Sequence, residues 1–306
     1  MQRPIFHEPW WLDAVAPRSW AEVTVEVDGQ ARAVLPYSTR RIGPGIVVLG
    51  APPLTPYLGP LTDPGDGKPA TRLKRDRELQ AALVEQLPRH DVYKTTLPLD
   101  HRNWPVLAEH GFVGTPRVTY VLDALDDVEQ VWNGFGDSTR RAVRKAEKRL
   151  AVRTDPGVAS LLPMAAATFE RQALGLPYSP DVLERAAEAA IGRDRGRVLT
   201  AVDEDDMVHA SMLVVWDDDR AYYLVGGADP TRRESAGLSL LMWEAIKMSA
   251  AHTRRFDFEG SMVPGVERFF RGFGGTQYTY LGAMRFSRRG RIGWAAYQLL
   301  EAIRGR

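Results

Sequence analysis

Two carboxylates that stand two positions apart are the first candidates for acid–base chemistry. The segment 256–260 reads FDFEG, and a short strand there would place Asp257 and Glu259 on one side and Phe256 and Phe258 on the other. Two carboxyl groups in this arrangement can share the general-base and orienting roles for a nucleophile. We therefore predict Asp257 and Glu259 as catalytic residues. The alternative is that both acids end an exposed edge and cap the following loop.

A segment rich in glycine and aromatic residues follows closely. Residues 265–275 read GVERFFRGFGG, a composition that fits no regular buried element. Gly274 would let the backbone approach a ligand, and Arg271 would stabilise negative charge that develops on a carbonyl oxygen. We predict Arg271 as catalytic, and Phe269, Phe270 and Gly274 as substrate-binding residues. The alternative is a packed aromatic turn with incidental arginines.

A strongly basic helix is predicted near the middle of the chain. The run TRRAVRKAEKRL at 139–150 has six basic residues and one acid, and Ser138 before it is a suitable N-cap. Helical spacing forms two stripes that suit the phosphates of a nucleotide-linked substrate or of RNA. We predict Arg140, Arg144 and Lys145 as substrate-binding residues, and a solvated helix face is the alternative.

Two further positions complete the predicted substrate site. Tyr223 lies in a strand pattern that ends in the glycine pair 226–227, and ligands commonly bind at such strand ends. Arg171 belongs to a polar patch that follows an apolar helical pattern and could line an acceptor pocket. A core strand and an ordinary helix end are the respective alternatives.

Composition excludes several classes of function. Forty Lys and Arg balance thirty-nine Asp and Glu, so a general affinity for nucleic acid is not expected and DNA is not a predicted partner. Cysteine is absent and the six histidines form no metal-binding pattern, so we predict no metal site. Neither a GxSxG elbow nor a GxxxxGK[ST] loop occurs.

The hydropathy pattern predicts a cytoplasmic protein without integral membrane contact. The N-terminal residues contain no apolar core of roughly 7–15 residues, so we expect no secretory signal. The uncharged stretch 46–62 contains four prolines and is predicted to be a loop.

The elements that must position these residues form a mixed α/β pattern. Strands broken by Pro and Gly dominate up to about residue 120, and a β-β-β-α-β order follows a helical region after residue 127. The predicted strands are 21–27, 31–37, 92–97, 119–122, 198–202, 208–216, 221–225 and 256–258. The predicted helices are 75–87, 104–110, one within 128–150, 160–173, 180–191 and 238–251.

The order of these segments resembles the FemAB-like branch of the GNAT acyltransferase superfamily. The matching segments are FHEPWWL at 6–12, PPLTPYLGP at 52–60, the basic helix, GGA at 226–228, FDFEG, and the 265–275 segment. The resemblance implies two tandem GNAT-like domains with mixed central sheets. The first would span 1–126 and be completed by 286–306, and the second, 127–285, would hold the active cleft.

The resemblance also implies the reaction. Members of this branch form an amide by acyl transfer to an amine, without a covalent enzyme intermediate or a tightly bound cofactor. The co-substrate would be aminoacyl-tRNA or acyl-CoA, so charged tRNA is an expected partner. The acceptor would be a small-molecule amine or a cell-wall precursor.

Two departures from the family patterns bear on the donor and on activity. Members of the FemAB-like branch commonly carry Phe-Lys where this chain has Phe269-Phe270. Ordinary GNAT enzymes carry a pyrophosphate-binding loop with the pattern R/Q-x-x-G-x-G/A, and the corresponding segment here, RRESAGL at 232–238, has only one glycine. The reduced loop favours aminoacyl-tRNA over CoA. An acyl-CoA-dependent N-acetyltransferase and a catalytically inactive GNAT-like binding protein are the alternatives.

Overall fold

The computed structural model describes residues 2–43, 45–154, 157–170 and 175–304. The chain forms two compact units, Met1–Arg117 with Thr279–Arg306, and Val118–Tyr278. The domains predicted from the sequence, 1–126 with 286–306 and 127–285, stay a prediction.

The first unit is built on a mixed sheet whose strand order is β1-β2-β3-β5-β12. Strands β1, β2 and β3 are antiparallel, β3 and β5 are parallel, and β5 and β12 are antiparallel. Asp28 and Gly29 both have positive φ, 54° and 71°, which is the geometry of the tight hairpin predicted between β1 and β2. Up to residue 117 its elements are α1 (Pro9–Val15), β1 (Trp20–Val27), β2 (Gln30–Ile42), β3 (Ile46–Gly50), β4 (Leu61–Thr62), α2 (Pro69–Glu85), β5 (Val92–Thr96), α3 (Trp104–Glu109) and the start of β6 (Val113–Leu122).

The strands of the second unit are paired in the order β6 (Val113–Leu122), β11 (Arg255–Asp257), β10 (Arg220–Ala228), β9 (Val208–Trp216), β8 (Gly196–Val202) and β7 (Ala151–Arg153). Only β10 and β11 are parallel among these neighbours. Beyond β6 its elements are α4 (Val128–Gly134), α5 (Asp137–Glu147), β7 (Ala151–Arg153), α6 (Gly157–Glu170), α7 (Pro180–Ile191), β8 (Gly196–Val202), β9 (Val208–Trp216), β10 (Arg220–Ala228), α8 (Gly237–Ser249), β11 (Arg255–Asp257), α9 (Pro264–Arg271) and the start of β12 (Thr276–Phe286). The chain then returns to the first unit through β12 and α10 (Arg288–Arg304). The predicted mixed α/β class is confirmed.

An aromatic cluster forms the core beneath the second unit's sheet. Phe135 packs edge-on against Trp243 of α8 and against Phe273, at centroid distances of 5.3 and 5.1 Å. Phe258, which follows β11, packs on Phe273 at 5.5 Å. Because these rings come from separate parts of the unit, they fix the positions of α8, β11 and α9 relative to one another.

Two predictions of irregular structure were wrong. Residues 264–271 form helix α9, because Val266, Phe269, Phe270 and Phe273 recur with the i, i+3, i+4, i+7 spacing of an apolar helix face, and Pro264 occupies the first turn. Strand β3 covers Ile46–Gly50 in the stretch predicted as a loop, because the prolines there begin only at residue 52.

Candidate active site

The two parallel strands of the second unit separate at their carboxyl ends. Pairing between β10 and β11 covers Arg220–Tyr222 and Arg255–Asp257, and β11 ends there while β10 continues to Ala228. A bulge between Tyr223 and Val225 turns the later part of β10 further. Strand β10 thus continues past the carboxyl end of its parallel partner, the position at which α/β proteins commonly bind ligands.

Asp257 ends β11 and is fully buried. Its Oδ1 accepts hydrogen bonds from Thr119 Oγ1 at 2.7 Å and from the backbone N–H of Glu259 at 2.8 Å. Its Oδ2 lies 3.4 Å from Nη1 of Arg220, a largely buried guanidinium. Since both carboxylate oxygens interact with donors, the geometry gives Asp257 a structural role in holding β6, β10 and β11 together.

Glu259 lies just beyond the end of the strand. The segment was predicted to continue as a strand through residue 258, but β11 ends at Asp257 and Glu259 has a left-handed backbone with φ 58°. Burial and, secondarily, the charge of Asp257 raise the pKa of Glu259 well above its ordinary value. A non-glycine residue in this conformation and a carboxyl group with a raised pKa are both features that cluster at functional sites.

Tyr178 is the second titratable group in this region. Its hydroxyl is shielded from solvent and makes no hydrogen bond within the described part of the chain. Burial and, secondarily, the charge of Glu259 raise the pKa of Tyr178 to about 12. Its ring lies edge-on to Phe169 at the end of α6, at a centroid distance of 6.3 Å. Tyr178 is therefore a protonated donor within electrostatic reach of Glu259.

Arg271, predicted as catalytic, lies at the end of α9 and is paired within the unit. Its Nε is 3.1 Å from Oε1 of Glu267, one helical turn earlier, and its side chain is 60% exposed. The same carboxylate accepts a hydrogen bond from the Tyr120 hydroxyl at 2.5 Å, which raises the pKa of Tyr120. In this geometry Arg271 is held beside a carboxylate, and it must leave Glu267 to stabilise a developing oxyanion.

The two phenylalanines predicted to bind substrate lie side by side on α9. Phe270 is buried and contacts Tyr223 and Phe258 at ring-centroid distances of 5.6 and 5.7 Å. Phe269 packs on Phe270 and on Phe273. The position at which the resembling family carries lysine is thus apolar and packed here, and Tyr223 belongs to the same cluster.

Gly274 has a structural reason to be glycine. Its φ is +74°, and a Cβ at this position would overlap the carbonyl oxygen of Gly134. Its N–H donates to the carbonyl of Arg271 at 3.1 Å, so this amide is engaged in the turn that ends α9. The predicted ligand contact at Gly274 therefore has to come from other atoms of the turn.

The predicted phosphate-binding cations of α5 have different surroundings. Arg140 bonds to Asp137 Oδ1 at 2.5 Å and to the carbonyl of Asn133 at 3.1 Å, and Arg144 lies over the ring of Trp132 at 5.5 Å. Lys145 instead donates to the carbonyl of Glu234, at 2.6 Å, in the loop before α8. Lys145 is thereby placed near the N-terminus of α8, where backbone N–H groups favour anions.

Lys145 lines an open cleft of about 910 Å³ beside the loop that precedes α8. Five cations and six carboxylates line this cleft, among them the acidic turn 203–206. The cleft therefore has mixed charge rather than the uniformly basic face that the sequence predicted.

Arg171, the remaining predicted site residue, lies outside the described residues. Tyr178, Thr119, Tyr120 and Glu267 were not predicted as site residues from the sequence. Thr119 and Asp257 are 138 positions apart, so local sequence patterns carry no signal for their contact. The acid at 267 was detectable only after α9 was recognised as a helix.

Comparisons with known proteins agree with this geometry. Residues 136–271 match the family model of the acetyltransferase (GNAT) domain, which covers most of the second unit. The crystal structure of FemX is similar over 97% of this chain and 94% of its own, with a TM-score of 0.66 and 14% identity. No curated protein matches the chain significantly in sequence.

Two other solved structures share the architecture. The C-terminal domain of a protein assigned as a lysylphosphatidylglycerol synthetase, from Agrobacterium fabrum, has a TM-score of 0.57 at 12% identity, with 95% of this chain and 91% of that chain covered. A tandem GNAT protein from the clavulanic acid biosynthesis pathway has a TM-score of 0.51 at 13% identity, with 90% and 86% covered. These similarities confirm the tandem GNAT-like fold that the sequence segments indicated.

Across the described ranges, which omit residues 44, 155–156 and 171–174, each helix is too short or too polar to cross a membrane. The same ranges contain no cluster of three or more His, Asp or Glu residues arranged to hold a metal ion.

Proposed function

We propose that this chain, a GNAT acyltransferase with a FemAB-like fold, joins an activated acyl or aminoacyl group to an amine acceptor through an amide bond. Glu259 carries the proposal, because it combines a raised pKa, partial burial and a left-handed backbone just beyond the paired part of β10 and β11. A carboxyl group of this kind can take a proton from an ammonium group near neutral pH.

In the proposed reaction, Glu259 accepts one proton and Tyr178 donates one. Glu259 accepts a proton from the acceptor's ammonium group, and the free amine then attacks the acyl carbonyl. The new C–N bond forms, the nitrogen releases its second proton to water, and the C–O bond of an ester or the C–S bond of a thioester breaks. Tyr178, which its pKa of about 12 keeps protonated, supplies a proton to the leaving oxygen or sulfur. Water returns the proton from Glu259 to Tyr178, which restores both groups.

Aminoacyl-tRNA is the favoured donor. The loop before α8 has one glycine where CoA-binding relatives have more, which disfavours CoA in the standard position. Lys145 at this loop suits a donor phosphate. The name lysylphosphatidylglycerol synthetase, carried by a protein of similar fold, describes the attachment of an aminoacyl group. A small-molecule amine or a cell-wall precursor is the proposed acceptor.

Acyl-CoA is the second candidate donor, and one observation favours it. Strand β10 continues beyond its pairing with β11 and leads, through the loop that Lys145 contacts, into α8, a 13-residue helix. A linear thioester with a phosphorylated end could bind along this strand and place its phosphates at the helix.

The first test separates the donors. Calorimetric titration with acetyl-CoA and with CoA should give no heat if charged tRNA is the donor, and micromolar binding if acyl-CoA is. Each donor is then incubated with a panel of amines, and the amide product is measured by mass spectrometry for the wild type and for Glu259→Gln. If neither donor gives an amide with the wild-type protein, the chain is an inactive binding protein and the proposal fails.

A further inference from the structure

The first unit contains a cavity of about 530 Å³ that is separate from the proposed active site. The N-terminal segment, the start of α2 and the loop at residues 98–102 enclose it. The volume is in the range of small-molecule sites. The family match at 136–271 does not reach this unit, so the cavity needs its own explanation.

Three polar side chains that line the cavity each hold an atom with an unmet hydrogen-bonding capacity. These atoms are Nδ1 of His7, Oε1 of Gln80 and Nε2 of His101, all shielded from solvent and without a hydrogen-bond partner within the described residues. His7 is 1% exposed and Gln80 is 3% exposed. Buried polar atoms are nearly always satisfied in folded proteins, so three such atoms around one cavity indicate a polar binding site.

The hydrogen bonds already present fix the polarity of two of these atoms. Gln80 donates its amide hydrogens to Asp76 and to the carbonyl of Arg102, which leaves Oε1 as an acceptor. Nε2 of His7 lies 2.9 Å from the carbonyl of Gly59 and donates to it. Burial lowers the pKa of His7 to about 4, so the ring is neutral and Nδ1 is an acceptor.

Charged groups of both signs surround the same cavity. Asp100 lines it and lies close enough to His7 and His101 to act on both rings electrostatically. Arg72, on the first turn of α2, and Arg102 also line it. Within the described residues, no ion pair engages either guanidinium or the carboxylate of Asp100.

These groups are complementary to a molecule with two opposite charges. The acceptors of Gln80 and His7, together with the Asp100 carboxylate, suit an ammonium group, whereas the guanidinium groups of Arg72 and Arg102 suit a carboxylate. Arg72 and Gln80 are eight residues apart on α2, which separates their Cα atoms by about 12 Å. The long arginine side chain can bridge most of this distance.

We propose that the first unit binds a free amino acid in this cavity, at a site distinct from the proposed catalytic site. The ammonium group lies at Gln80, His7 and Asp100, and the carboxylate at Arg72 and Arg102. The site requires no turnover, so it stands whether or not the second unit transfers acyl groups.

Calorimetry with a panel of free amino acids tests the proposal. We expect one-to-one binding of at least one amino acid, and affinity about tenfold weaker or more for its N-acetyl and its C-terminal amide forms, because each blocks one charged contact. Failure of every amino acid to bind, or equal binding of the blocked forms, would overturn it.

Variants locate the site. Arg72→Ala and Asp100→Asn, both at exposed side chains, should weaken binding about tenfold or more. Arg77→Ala, on the same helix but paired with Glu109 outside the cavity, should leave affinity unchanged. Gln80→Leu should abolish binding and should also lower the melting temperature, since it removes the hydrogen bonds that the amide donates to Asp76 and to the carbonyl of Arg102.

One further variant distinguishes this cavity from the active site. Glu259→Gln should bind the amino acid as the wild type does. Loss of binding in Glu259→Gln with retention in Arg72→Ala would place the amino acid in the second unit and refute the proposed site.

Discussion

The backbone N–H of Glu259 donates a hydrogen bond to Oδ1 of Asp257 at 2.8 Å, so the main chain of one acidic residue stabilises the carboxylate of the other. Thr119 and Arg220 stabilise the same carboxylate further. The charge held on Asp257 in turn raises the pKa of Glu259. Two neighbouring carboxyl groups with such different surroundings divide into a structural anion and a titrating group.

The first prediction separates these two roles by isosteric substitution. Glu259→Gln should lower kcat by about 10²–10³-fold while the protein stays folded, because it removes only the proton acceptor. Asp257→Asn should instead destabilise the fold by about 3–5 kcal/mol, because Arg220 would lose its buried partner. Turnover and thermal unfolding of both variants provide the check. If Glu259→Gln retains full turnover, Glu259 is not the base.

The second prediction concerns pH. Glu259 has a folded-state pKa above its unfolded value, so the folded protein binds the extra proton, and stability falls as pH rises from the ordinary carboxyl range through the raised pKa. Activity should rise over the same range, because only the carboxylate accepts a proton. Parallel measurement of kcat/KM and of the free energy of unfolding against pH tests this.

The control for the pH experiment is Glu259→Gln. The variant should lose this stability decrease, since its side chain does not titrate. A wild-type profile in which stability and activity rise together over that range would contradict the assignment.

Local patterns and long-range contacts differed in how well they could be read from the sequence. The β1–β2 hairpin followed from Asp28-Gly29, whose turn chemistry is local. Helix α9 was missed because the glycines at 265, 272, 274 and 275 outweighed the helical spacing of the phenylalanines. Three of these glycines lie outside the helix, at 272, 274 and 275, where they end it and form the following turn.

The candidate site was predictable only in part. The FDFEG segment indicated two carboxyl groups. It could not show that the Asp257 carboxylate accepts a hydrogen bond from Thr119 and pairs with Arg220, because those contacts depend on the order of strands in the sheet. The basic helix was recognisable from its sequence. The contacts of Arg140 with Asn133 and of Arg144 with Trp132 could not be predicted, because they depend on how α5 packs against α4.

The third prediction concerns Phe270, where the resembling family carries lysine. Phe270→Lys should destabilise the protein by about 3 kcal/mol or more, because it places an ammonium group between the rings of Tyr223 and Phe258. An enzyme adapted to phenylalanine would also lose turnover. Phe270→Leu, which stays apolar, is the control and should keep most of both properties. A gain of turnover in Phe270→Lys would instead identify the chain as an inactive relic.

The fourth prediction compares two glycines. Gly274→Ala should destabilise the protein by about 2 kcal/mol or more, because φ is +74° and the new Cβ would meet the carbonyl of Gly134. Gly265→Ala has open space around its Cβ and lies in α9, so it should be neutral or stabilising by up to about 1 kcal/mol. Chemical denaturation of both variants checks this. Equal effects would show that the turn after α9 tolerates a side chain.

The fifth prediction concerns donor binding at Lys145, whose ammonium group reaches the loop before α8. If a donor phosphate binds there, Lys145→Ala should raise the KM for the donor about tenfold and leave kcat nearly unchanged, because the lost charge contact is the same in the ground state and the transition state. Lys74→Ala, an exposed lysine of the first unit, is the matched control and should change neither constant. Steady-state kinetics with the donor varied and the amine saturating measures the split. An effect on kcat alone would mean that Lys145 acts on the acyl group rather than on a distant phosphate, and would place the donor's phosphates elsewhere.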